Sequence, residues 1–138
     1  MIVVDASVGM KWVRTAEKDA GIAKMIYRDH VEKRSRIIVP SLFFLEIANA
    51  LVFTKGITEP MLKKRIQFLN KSGFSVHSFT KANLEEAAAL AKQFQTTLYD
   101  MLYAVIAKEL GCTFVTADEQ FIQKTHFPFV TLLRDANR

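Results

Sequence analysis

Short apolar runs alternate with helical periodicities from one end of the chain to the other. Residues 2–5 (Ile-Val-Val-Asp) read as a short buried strand, followed by helices over 7–13 and roughly 16–33. Residues 36–39 read as a second strand stopped by Pro40. Residues 41–54 form a strongly apolar helix, with Gly56 at its carboxyl end. Thr58 is an N-cap for the next helix, with Glu59 and Pro60 in its first turn, and that helix reaches Ser72-Gly73. Residues 74–79 alternate like a strand, and Thr80 caps an Ala- and Glu-rich helix running to about 94. A helix over about 98–110 ends at Gly111, and 113–116 is a fourth strand. A short helix from 118 and a strand over 129–133 complete the pattern.

This β-α-α repetition predicts an α/β fold with a mostly parallel, doubly wound sheet of about five short strands and helices on both faces. The strands are apolar throughout rather than alternating, as strands covered on both sides are. Neither linker nor repeat interrupts the 138 residues, so a single domain over 1–138 is expected.

Composition narrows the class. Half of the residues are hydrophobic and 24% are charged, the profile of a soluble globular domain. The single cysteine, Cys112, excludes a disulfide framework and is expected to be a small buried hydrophobe. No basic n-region precedes the first apolar run, and no run approaches a membrane span, so a cytoplasmic protein without membrane association is expected. The net charge of +5 suits a polyanionic partner such as nucleic acid.

The informative charges are acids stranded in apolar sequence. Asp5 is the only charged residue between Met1 and Met10, Glu46 between Val39 and Thr54, and Asp100 between Gln93 and Ala107. Asp118 ends the apolar run that starts at Cys112. A carboxylate in such a setting is costly unless compensated. Glu46 is the sharpest case, with apolar residues nearly all round its helix and only Asn49, at i+3, as a polar neighbour. If the first and fourth strands are neighbours where strand order reverses, Asp5 and Asp118 line one crevice, and Glu46 and Asp100 can point into it. Each close carboxylate pair would cost about 4 kcal/mol at 4 Å and an effective dielectric of 20. Hard divalent cations remove that penalty, so Mg²⁺ or Mn²⁺ is the expected cofactor, able to activate water against a phosphate.

Four segments then match a known pattern: Val4-Asp5-Ala6-Ser7, Pro40 through Glu46-Ile-Ala-Asn-Ala-Leu51, Tyr99-Asp100 through Tyr103-Ala104, and Thr116-Ala117-Asp118 through Phe121. In this order, over almost the whole length, they make the chain resemble the PIN-domain nucleases, most closely the VapC-type toxins of prokaryotic toxin–antitoxin pairs. The resemblance implies that Asp5, Glu46, Asp100 and Asp118 form an acidic metal site. It implies that Ser7 and Thr116 orient ligands or water. It further implies an RNA substrate, a homodimer and a cognate antitoxin. One departure is Met101, where family members often carry a small residue and a larger one would narrow the site.

Other roles stand beside these. Asp5 and Asp118 can cap the helices that follow them, Asp100 can complement a helix dipole, and Glu46 can pair with a buried lysine or arginine. Lys11 and Arg14 follow Asp5 closely enough to be candidate RNA contacts, whereas Lys63-Lys64-Arg65 lies on the solvated side of its helix. Tyr99 and Tyr103 read as core more readily than as base-stacking platforms. His30, His77 and His126 lack ligand spacing, which argues against zinc. No Gly-rich phosphate loop or nucleophile elbow occurs. An aspartyl phosphatase would want a second acid at position 7, which is serine. An RNA-processing nuclease outside a toxin–antitoxin pair, and a non-catalytic domain that binds RNA or protein, remain as competing functions. The helices over 41–54 and 58–71 are candidate dimer or inhibitor contacts, and an inserted arginine could pair with the acidic site.

Overall fold

Five short strands build one parallel sheet in the computed structural model, which describes residues 1–14 and 18–136. They are β1 (Ile2–Val4), β2 (Ile37–Val39), β3 (Ser75–Val76), β4 (Thr113–Thr116) and β5 (Val130–Leu132), in the order β3-β2-β1-β4-β5. The helices are α1 (Ala6–Val13), α2 (Ala20–Val31), α3 (Leu42–Val52), α4 (Glu59–Asn70), α5 (Lys81–Phe94), α6 (Leu98–Leu110) and α7 (Glu119–Thr125). A short 3₁₀ turn, Leu133–Asp135, follows β5. The predicted doubly wound α/β fold is therefore present.

The chain starts in the middle of the sheet, builds outward through β2 and β3, then returns to β1's other side for β4 and β5. Ile2 faces both Ile37 and Thr113 across the ladders, and Val4 faces Val115. Strand order thus reverses between β1 and β4, where a parallel sheet opens a crevice beyond its carboxyl ends. Helix α1 packs on α2 and α3, and α3 on α4; α5 packs on α6, which lies against β1 and β4. Val3, Val4, Ile37, Val39, Phe114 and Val115 are buried, as strands with a helix layer on each face must be.

Local signals account for most boundaries. Thr58, Thr80 and Thr97 each accept a backbone N–H at the start of α4, α5 and α6. Gly111 ends α6 in the left-handed region at φ +64°, which costs glycine little. Other expectations need correction. Strand β3 keeps only two of the expected residues 74–79 because it is an edge strand and β2 beside it ends at Val39, whose carbonyl still accepts from His77 N at 2.9 Å. Gly56 does not end α3, whose C-cap is Phe53; it serves the following turn at φ +79°. The expected start of α2 at 16 lies outside the described residues. Cys112 is half-buried rather than enclosed.

Among the described residues, no helix is long and apolar enough to cross a membrane. The apolar surplus of α3 instead emerges at the surface, where Leu45, Val52 and Phe53 are 68%, 58% and 79% exposed.

Candidate active site

Asp5 leaves β1 at its carboxyl end and becomes the N-cap of α1, accepting Val8 N at 3.2 Å. The register brings Thr116, at the end of β4, beside it. Thr116 Oγ1 donates to Asp5 Oδ2 at 2.5 Å, and Ser7 Oγ donates to Asp5 Oδ1 at 2.5 Å. Ser7 Oγ in turn accepts Ala117 N at 2.9 Å, and Thr116 Oγ1 accepts Asp118 N at 3.1 Å. One network thus ties the ends of β1 and β4 together around a carboxylate that is only 5% exposed.

The other three acids approach from separate elements. Asp118 caps α7 through Phe121 N at 3.2 Å. Asp100 sits in the first turn of α6, whose N-terminus lies at the carboxyl ends of the strands, and Thr97 is the cap before it. Glu46 lies on α3 and accepts the Tyr103 hydroxyl at Oε1, 2.7 Å away. Capping and membership of the acidic cluster are therefore compatible for Asp5 and Asp118. The buried lysine or arginine considered as Glu46's partner is replaced by a neutral hydroxyl.

Asp100 is the electrostatic centre of the group. Its charge raises the pKa of both Asp5 and Glu46, and its own is raised by Asp118. Burial is the larger cause at Asp5, Glu46 and Asp100; at Asp5 it outweighs the Ser7 and Thr116 hydrogen bonds and pushes the carboxyl up to about 6. Lys124 offsets part of the effect at Asp100, but among the described residues no cation contributes at Asp5 or Glu46. The acids share one field without forming a tight cage: no three His, Cys, Asp or Glu among the described residues converge enough to hold an ion by themselves.

A buried acid with a raised folded pKa binds more protons folded than unfolded, so stability falls as pH rises. For Asp5 that loss begins near the unfolded value of 3.8 and is complete above about 6. Between pH 5 and 7.5 in EDTA the protein is expected to lose about 1.5 kcal/mol, with Glu46 and Asp100 acting in the same direction. A melting temperature that stays flat or rises over that interval would argue against a desolvated Asp5.

The remaining predicted residues fall outside this network. Asn49 is exposed on α3 and takes no part in the network among the described residues. Lys11 is buried, and Arg14 donates Nη2 to Thr54 Oγ1 at 3.0 Å. Arg14 stands nine residues beyond Asp5, roughly 13 Å along the helix, away from the crevice. Met101 is fully buried beside Leu90, Ala104 and Phe127, so it fills the core and does not narrow the site. Tyr99, expected in the core, is 56% exposed. Sequence reasoning missed the role of Tyr103. Its signal was position: i+3 from Asp100 puts both on one face of α6.

Comparison with known proteins agrees with this architecture. The profile of the PIN domain family matches residues 2–126. PAE2754 from Pyrobaculum aerophilum superposes with a TM-score of 0.73 at 22% identity, covering 96% of this chain and 83% of that one. VapC20 of Mycobacterium tuberculosis, described as a Sarcin-Ricin loop cleaving toxin, gives 0.70 at 15% identity, over 91% and 95% of the two chains. VapBC2 from Rickettsia felis, bound to a DNA fragment from their promoter, gives 0.67 at 13% identity, over 96% and 98%. At these identities the likeness is one of fold. Among curated protein sequences, none matches this chain.

Proposed function

The chain belongs to the PIN domain family, and on that premise we propose that it is a divalent-metal-dependent endoribonuclease, the toxin of a VapBC-type pair. The observation that carries the reading is the hydrogen-bond network through Thr116 that ties Asp5 and Asp118 together at the ends of β1 and β4, with the charge of Asp100 acting on Asp5 and Glu46. Acids so desolvated and so lightly offset by protein cations favour a hard external cation, Mg²⁺ or Mn²⁺. Asp5, Glu46, Asp100 and Asp118 would hold it, directly or through water. When bound, the ion supplies a water of lowered pKa and offsets charge on the attacked phosphate.

The protein's own part is orientation and proton handling. Ser7 and Thr116 fix both oxygens of Asp5, so its carboxylate meets the cation in one geometry. Asp100, with its raised pKa and its place at the helix start, is suited to take the proton from the attacking water. The surplus of lysine and arginine draws RNA to the surface.

The structural neighbour VapBC2 from Rickettsia felis supports a cognate antitoxin here. Exposed Leu45, Val52 and Phe53 on α3 support a homodimer or antitoxin contact on that face. Sedimentation equilibrium should report a dimer; a monomer at all concentrations would remove that part of the reading. The function itself is tested by incubating labelled single-stranded RNA with the protein in Mg²⁺, Mn²⁺ or EDTA. Cutting in either metal and none in EDTA is expected. Absence of both cutting and calorimetric metal binding would favour a non-catalytic domain.

A further inference from the structure

Glu46 and Tyr103 come from opposite helix layers. Helix α3 belongs to the group built on α1, and α6 to the layer against β1 and β4. Their side chains meet through one hydrogen bond, Tyr103 Oη to Glu46 Oε1 at 2.7 Å. Tyr103 is wholly buried, and its ring lies nearly parallel to that of Phe114 on β4, with centroids 6.0 Å apart and an interplanar angle of 12°. The hydroxyl is thus a fixed point, whereas a glutamate on a helix otherwise has three free torsions. Oε2 of Glu46 has no hydrogen-bond partner among the described residues.

The donor's lack of charge matters. A lysine or arginine in its place would orient Glu46 but also neutralise it, weakening its hold on a cation. A hydroxyl orients the carboxylate and leaves its charge in place. Asp5 is treated alike, with hydroxyls of Ser7 and Thr116 and no cation among the groups that shift it. We propose that Tyr103 is a positioning residue: its hydroxyl reserves Oε1 of Glu46, so that Glu46 meets the divalent cation through Oε2 alone. This rests on the metal-site reading above.

The test is Mn²⁺ titration by calorimetry of the full chain, of Tyr103→Phe and of Leu69→Ala, with melting of each in EDTA. Tyr103→Phe removes one oxygen and keeps the ring, so its loss of stability should be confined to that of one hydrogen bond to a carboxylate. Its Mn²⁺ affinity is expected to fall about 10- to 100-fold, the usual cost of losing a group that orients a ligand. Leu69→Ala opens a cavity near the carboxyl end of α4 and leaves Glu46, Tyr103 and Phe114 in place, so it should lose stability with its Mn²⁺ affinity within about twofold of the parent. Unchanged or tighter Mn²⁺ binding by Tyr103→Phe would overturn the proposal. So would a loss of affinity in both variants that tracks their loss of stability, which would mark Tyr103 as a packing residue. A parent protein that binds no Mn²⁺ would instead refute the metal-site reading itself.

Discussion

Asp5→Asn is expected to abolish RNA cleavage while making the protein more stable in the absence of metal. Both effects follow from one fact: this carboxylate is nearly sealed from water, with burial and the Asp100 charge pushing its pKa up to about 6. Keeping it ionised at pH 7.5 costs about 3 kcal/mol relative to the unfolded chain. Asparagine removes that cost. Its Oδ1 can still accept from Ser7 and Val8, but bonds to a neutral acceptor are weaker, and Thr116 must turn its hydroxyl to accept from the new amide. The net gain should therefore be about 1–2 kcal/mol. Activity moves the other way, because a neutral side chain at position 5 cannot help hold a divalent cation; a loss of at least about 10²-fold is expected. Cleavage assays in Mg²⁺ and Mn²⁺ beside melting in EDTA read both effects. A variant that cuts like the parent, or that melts clearly lower in EDTA, would sink the clustered-acid account.

Gly9→Ala should give the largest loss of stability from a single methyl group. Gly9 lies where α1 crosses α3, and an added Cβ would stand 2.5 Å from Ile47 Cδ1 and 2.6 and 2.7 Å from the Phe43 ring. Ile47 and Phe43 are wholly buried, and Phe43 is walled in by the rings of Trp12, Phe44 and Phe74. The ring cannot swing aside, so α3 must move. Overpacking of this kind costs about 1–3 kcal/mol, while alanine recovers up to about 1 kcal/mol of helix propensity. The expected net loss of about 1–2 kcal/mol lowers the melting temperature by roughly 4–8 °C for a chain of this size. Cleavage should fall as well, because Glu46 precedes Ile47 and moves with α3 away from Tyr103. An unchanged or raised melting temperature would mean that the α1–α3 contact yields more easily than the geometry indicates.

Much of this was legible in the chain itself. Each strand and helix shows as an apolar run or a periodicity, and threonines at 58, 80 and 97 mark helix starts, because these signals act over one or two turns. The four acids stand out by the same local contrast, a charge where its neighbours are apolar. The ends of elements were less legible: β3 is short because β2 is short, and α3 stops at Val52, short of Gly56, whose left-handed backbone serves the turn that follows.

What the amino-acid sequence determined by itself is the list of elements, the parallel α/β class and the identity of the exceptional carboxylates. Only the tertiary structure decided that β1 and β4 are neighbours, that Asp100 stands at the centre of the acidic field, and that Glu46 is held by Tyr103, 57 positions away, and not by a lysine or arginine. It also turned Asn49 to solvent, Lys11 into the interior and Met101 into the core. The physical reason is range. Periodicity and capping are set by residues within a few positions of one another, whereas burial, field and hydrogen-bond partnership depend on which surfaces the crossovers bring together.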